Sequence, residues 1–142
     1  MKRAALFFVA LAVLAGAYVF WFRLQGQNDA AAPAAGAALA AINLPDSLSE
    51  NGRIGERLFQ AKCLTCHGEN AVGQQGVAPP LIHKIYEPSH HGDESFHRAV
   101  TLGVRGHHWP FGDMPPVEGL SRGDVTMIVA YIRELQTANN IR

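Results

Sequence analysis

Apolar positions follow three different rhythms along these 142 residues. From Ala4 to Phe22 runs "AALFFVALAVLAGAYVFWF", nineteen residues without a charge. As a helix this run would be about 28 Å long, close to the hydrocarbon thickness of a bilayer. From Leu24 to Pro45 alanine, glycine, glutamine and asparagine dominate. Too few large apolar groups occur there to form a core, so the stretch reads as a tether, with room for a short alanine-rich helix over 34–41. Beyond it, Ile54, Leu58, Phe59 and Cys63 recur at three- and four-residue steps and predict a helix from near Asn51 into the cysteines. "GDESFHRAVTLG" predicts a second helix, capped by Asp93 and stopped by Gly103. "SRGDVTMIVAYIRELQ" predicts the strongest one. Its Ser121 and Asp124 have capping-box spacing, and Val125, Ile128, Val129, Ile132 and Leu135 share one face. No run alternates with period two for long enough to be a strand, and glycines and prolines mark 68–82 and 105–116 as loops.

These rhythms divide the chain into a transmembrane signal-anchor at 1–23, a flexible tether at 24–45 and an all-α domain at 46–142. Lys2 and Arg3 hold the N-terminus in the cytoplasm, and Trp21 and Phe22 reach the far interface with Arg23 in the headgroups. The domain is then expected outside, on the periplasmic side of a bacterial inner membrane. A cleaved signal peptide is the rival reading, because "AGA" at Ala15 to Ala17 resembles a cleavage site. Cutting there would leave "YVFWF" as an exposed apolar start, so a retained anchor is preferred. Net charge is zero and no basic run occurs outside the N-terminus, so no nucleic-acid partner is expected. From Asp46 onward eleven acidic and nine basic residues make the domain weakly negative, with no basic docking ring.

Three short helices joined by long loops are a poor core for a domain of under a hundred residues. A large apolar group is therefore expected to complete it. The chain's two cysteines stand in "CLTCH", at Cys63 and Cys66, directly before His67. Thiols one helical turn apart can add across the two vinyl groups of haem, and the adjacent imidazole then falls under the iron. Three other readings stay open on the motif itself. A thioredoxin-like redox pair would want a preceding strand, a zinc site needs further ligands from scattered histidines, and a plain disulfide would leave the core incomplete.

The segment from Asn51 to Gln136 resembles a class I c-type cytochrome, a single-haem electron carrier. "GERLFQAKC" carries Gly55, Phe59 and Cys63 four apart, "AYIRELQ" resembles the family's last helix, and "APPL" at Ala78 to Leu81 resembles its proline loop. The resemblance implies a small cytochrome c fold, three or more helices wrapped around one haem c bound covalently through Cys63 and Cys66. It implies that Tyr131 packs near Gly55 and Phe59, that the Pro79 carbonyl accepts a hydrogen bond from His67 Nδ1–H, and that Leu81 packs on the haem. Met114 precedes Pro115 as the axial methionine does in the family, which makes it the expected sixth ligand; Met1 and Met127 are worse placed. His107 or His108 would instead give bis-histidine haem. Arg105 and Trp109 are expected to donate to the haem propionates. His83, His90, His91 and His97, with Asp93, could form a second metal site, against the plainer reading of exposed histidines on loops and a helix surface.

The function expected is membrane-tethered transfer of single electrons, without catalysis, between a redox protein donor and acceptor in a respiratory-type chain. Alternatives are a cytochrome subunit of a larger membrane redox enzyme, a haem sensor or enzyme whose sixth ligand is displaced, and a copper- or zinc-binding module built on the histidines.

Overall fold

The structure, a computed structural model, describes residues 13–21, 23 and 34–142. The chain falls into two compact units, Met1–Ala32 and Pro33–Arg142. In the first, residues 13–21 and 23 are helical, with Leu14, Phe20 and Trp21 exposed. Much of the expected anchor lies outside the described residues, and among those described no helix is long and apolar enough to cross a membrane.

The second unit is helical, and no strand occurs among the described residues, only isolated β-bridges. Its helices are α1 (Glu50–Lys62), the single turn α2 (Leu64–His67), α3 (Asp93–Leu102) and α4 (Arg122–Ala138). Two 3-10 turns, Glu69–Ala71 and Lys84–Tyr86, interrupt the loops. α1 starts where the Ser49 hydroxyl accepts the Gly52 N–H at 3.0 Å. α4 starts on the expected capping box, the Ser121 hydroxyl accepting from Asp124 N–H while the Asp124 carboxylate accepts from Ser121 N–H. α3 departs from expectation by one residue. Gly92 is its cap, and Asp93, in the first turn, pairs with Arg133 Nε at 2.8 Å.

Phe59 on α1 and Tyr131, Ile132 and Leu135 on α4 form the centre of the core, each no more than 2% exposed. The two helices cross at Gly55. A Cβ there would stand 1.9 Å from the Met127 carbonyl oxygen, so only a residue without one permits the approach. One turn further along, the Phe59 and Tyr131 rings meet at 5.7 Å and 57°, a favourable tilted arrangement. The Gly55–Phe59–Tyr131 packing is as the sequence reading expects.

The C-terminal half of α4 also carries polar groups into the interior. Gln136 is fully buried, and its Nε2 donates to the carbonyls of Leu81 at 2.9 Å and Tyr86 at 3.1 Å. Arg133 donates to the carbonyls of Tyr86 and His91 at 2.7 and 2.6 Å, and to Gln136 Oε1 at 2.6 Å. Its guanidinium also lies 5.0 Å above the Phe96 ring. α4 thereby holds the 81–91 segment by its backbone.

The expected tether needs correction over its second half; residues 24–33 lie outside the described ones. Residues 34–45 are bonded to the domain and contain no helix. Gly36 N–H donates to Gln75 O at 2.9 Å, Gln75 N–H to Ala37 O at 2.8 Å, and Ala40 N–H to Val72 O at 3.1 Å. Asn43 and Asn139 exchange two further bonds at 2.7 and 2.8 Å. Backbone groups supply this attachment, and a composition poor in large side chains conceals them.

Candidate functional site

α1 runs directly into α2 at Cys63, whose carbonyl accepts the His67 N–H at 2.9 Å, so Cys63, Cys66 and His67 stand on one short turn. The chain then reverses through left-handed residues at Gly68, Asn70 and Ala71. Asn70 Oδ1 accepts the Tyr131 hydroxyl at 3.1 Å and ties the reversal to α4. Gln74 Nε2 donates to the carbonyls of Leu64 and Thr65 at 3.2 and 2.9 Å, satisfying open groups of the turn. Gly73, at φ +74°, lies against the proline backbone; a Cβ there would be 2.4 Å from Pro80 N. This closeness delivers the Pro79 carbonyl to His67 Nδ1 at 3.0 Å.

With Nδ1–H donating to Pro79, the lone pair of His67 is on Nε2. The ring is 8% exposed, and burial holds its pKa below the ordinary value against the opposing effect of the Pro79 bond. Cys63 is pushed up to about 11 by burial, with Cys66 adding to the shift. An un-ionised thiol is the reverse of the activated thiolate that a thioredoxin-like redox pair requires.

The facing loop is closed at its base by Val104 and Met114, which exchange backbone hydrogen bonds of 2.9 Å in both directions. Gly106 N–H donates to Asp113 Oδ1 at 2.8 Å just above. Side chains alternate through this short extended stretch. Val104 and Gly106 line the inner side, while Arg105 between them is exposed and off the lining. Trp109 does face inward, stacked on Phe111 at 5.8 Å and edge-on to His83 at 5.3 Å. Its indole nitrogen is buried with no hydrogen-bond partner. The neighbouring Tyr86 phenol has its pKa raised by burial, an effect Trp109 partly offsets without reaching bonding geometry.

Between the two loops lies a cleft with a cavity volume of about 220 Å³. Cys63, Cys66, His67, Pro79 and Leu81 border it from one loop, and Trp109 and Met114 from the other. Phe59, Phe96, Val125, Ile128 and Ile132 supply an apolar lining from the helices. A model of the cytochrome c family matches residues 53–136. The chain belongs to the cytochrome c family. No curated protein and no solved structure matches it.

Cytochrome c domains bind haem c and transfer electrons through it, and this cytochrome's residues fit that group. The cleft is apolar and bordered by a Cys-x-x-Cys-His turn, its imidazole is already oriented, and the orphaned Trp109 N–H calls for an acceptor such as a propionate. The seven histidines separate into distinct environments. His97 is buried at 9% exposure, a correction to the expected helix surface, because α3 turns that face toward the core. His83 accepts the Ile85 N–H at 3.2 Å on Nδ1. His90, His91, His107 and His108 come together as a cluster of rings. The pKa of His108 is lowered by desolvation and then by the neighbouring imidazoles. Four positioning residues escaped the sequence reading: Asn70, Gln74, Arg133 and Gln136. Only the last two left a trace, a polar pair three apart interrupting the apolar face of α4.

Proposed function

We propose that this cytochrome is a membrane-tethered, single-haem carrier of class I type, working on the periplasmic side of a bacterial membrane in a respiratory-type chain. Cys63 and Cys66 would hold haem c through thioether bonds, and His67 and Met114 would be the protein's donors to its iron. One observation carries the reading: a single apolar cleft is bordered by the Cys-x-x-Cys-His turn on one loop and by Met114 on the other. The haem supplies a one-electron ferrous–ferric couple.

The chain's part is to hold its donors still. Pro79 fixes the His67 tautomer, and the Val104 pairing fixes the Met114 backbone, with Pro115 and Pro116 stiffening the chain just beyond it. Trp109 brings a buried, unpartnered N–H to the border of the cleft. With both donors to the iron supplied by the protein, none would be left for a substrate, so the proposal is a carrier. Tethering is supported by the charge-free run at 4–22, of which residues 13–21 are helical with exposed apolar side chains. A tether raises the effective concentration of the carrier near membrane-bound redox partners without any stronger contact, which suits small, transient redox interfaces.

Mass spectrometry of the purified protein tests attachment and anchor together: one covalent haem and an intact N-terminus are expected. The ferric protein should show the thioether-to-iron charge-transfer band in the red, and the ferrous protein should not bind carbon monoxide. Met114→Ala should lose the band and gain carbon monoxide binding. Rapid carbon monoxide binding by the unaltered protein would refute the His/Met carrier.

A further inference from the structure

The turn over 87–91 and the loop over 104–114 meet at the edge of the cleft, and both present histidines there. The ring centroids of His90 and His91 are 4.7 Å apart, those of His90 and His108 5.6 Å, and those of His91 and His108 5.4 Å. One ring nitrogen from each of these three falls within 4.8 Å of the other two. His107 lies beside them, 4.1 Å from the His108 ring, but is not within that distance of the whole set. The carrier function uses none of the three, and no carboxylate or thiolate joins them.

Their backbones are fixed from two sides. The N–H groups of His90 and His91 both donate to the Glu87 carbonyl, at 3.0 and 2.8 Å, and Arg133 holds the His91 carbonyl at 2.6 Å. The Gly106–Asp113 bond and the Val104–Met114 pairing hold the other loop. His91 Nδ1 lies 2.6 Å from the Ile85 carbonyl, so Nδ1–H donates and Nε2 bears the lone pair. An imidazole oriented through its second nitrogen by a backbone carbonyl is the usual arrangement of a metal-bound histidine.

We propose that His90, His91 and His108 form a second metal site, for a divalent ion of the copper–zinc class, distinct from the haem iron. Three neutral imidazoles suit such ions and suit neither calcium and magnesium, which want oxygen, nor copper(I), which wants sulfur. Copper(II) stands ahead of zinc in intrinsic affinity for nitrogen donors. Metal–nitrogen bonds of about 2.0–2.1 Å require donors roughly 3.4 Å apart, so the set closes by up to about 1.4 Å on binding. His90 and His108 are exposed and free to rotate that far. The bound ion cross-links the 87–91 turn to the loop that carries Trp109 and Met114, and so stiffens one border of the cleft. The site rests on the cluster geometry and not on which residue is the sixth haem ligand.

The test is equilibrium dialysis of the full-length, haem-containing protein, stripped with chelator, against Cu²⁺ and separately Zn²⁺, with iron measured in the same samples. One equivalent of added metal per chain is expected beyond the iron, with imidazole nitrogen couplings in the Cu²⁺ spin-resonance spectrum. His91→Ala and His108→Ala should each weaken binding on the order of 100-fold, while His83→Ala stays within about twofold of the unaltered protein. Saturation by either ion, lost in the two variants, supports the site, and the tighter arm identifies the ion. Affinity unchanged in both variants overturns it as adventitious surface binding. Haem absorbance per chain reports separately: its absence alongside retained copper binding would count against the carrier and leave this site standing. His108→Ala removes an exposed side chain, so its result does not depend on a folding defect.

Discussion

Replacing Gly55 by alanine sets two effects of opposite sign against each other. In a helix interior alanine is more favourable than glycine by about 1 kcal/mol. Here the added Cβ would stand 1.9 Å from the Met127 carbonyl oxygen, 2.5 Å from its carbon and 3.0 Å from Ile128 N. Ordinary contacts are about 3.5 Å, so α1 and α4 must part by roughly 1.5 Å. The opposing atoms are all backbone, and no side chain can swing aside to relieve them. Parting also loosens the Phe59–Tyr131 contact and the burial of Ile128 and Ile132 behind it. Overpacking of a close-packed core costs about 1–3 kcal/mol or more, and the loosened contacts bring the expected net loss to about 2 kcal/mol. Gly123 in the first turn of α4 is the control. A Cβ there meets nothing nearer than 3.6 Å, so Gly123→Ala should keep a fraction of the helix-propensity gain. Urea unfolding of the haem-loaded protein, followed by far-ultraviolet circular dichroism, reads both. With a slope of about 1–3 kcal/mol per molar urea, the Gly55→Ala midpoint should fall by about 1 M while that of Gly123→Ala holds or rises. A Gly55→Ala protein as stable as the unaltered one would refute the close crossing.

Burial, with Glu56 and Glu69 nearby, pushes the Tyr131 phenol up to about 12 from 10.0. A raised folded-state value means this contribution is intact below pH 10 and is lost as the pH rises to about 12, on the order of 3 kcal/mol at most. Tyr131→Phe should lose about 1 kcal/mol at pH 7 with the Asn70 bond, yet show a flatter alkaline decline; an identical decline in the variant would contradict the assignment. Gly73→Ala puts a Cβ 2.4 Å from Pro80 N at φ +74°. It should displace the Pro79 acceptor from His67, lowering haem per chain by absorbance and stability by about 2 kcal/mol or more. Arg133→Met leaves the His91 carbonyl, Gln136 Oε1 and Asp93 without their donor, the Tyr86 carbonyl keeping only the Gln136 bond, and a loss on the order of 3 kcal/mol is expected in the same urea assay.

What was legible in the sequence is what local rules govern. The helical face of α4, its Ser121–Asp124 cap, the Cys63–Cys66–His67 turn and the four-residue spacing of Gly55 and Phe59 all depend on neighbours within a turn or two. The structure reproduces each of them. The errors share the opposite character. Residues 34–45 looked like tether because their side chains are small, but backbone bonds to Val72, Gln75 and Asn139 hold them. His97 looked like surface because it is polar, and the docking of α3 buries it.

The sequence by itself determined the chemistry available to this cytochrome: two thiols and an imidazole at fixed spacing, one methionine before a proline pair, and helices with defined apolar faces. These are properties of residue type and short-range periodicity, which survive without any knowledge of the fold. Tertiary structure alone decided which groups share a space. It brought the Pro79 carbonyl to His67 through the closeness that Gly73 permits, left the Trp109 N–H buried and unpaired, and gathered His90, His91 and His108 from two loops. Such encounters depend on backbone paths between residues far apart in the chain. Loop geometry of that kind is fixed by glycine approaches and side chain-to-carbonyl bonds, and neither leaves a period in the sequence.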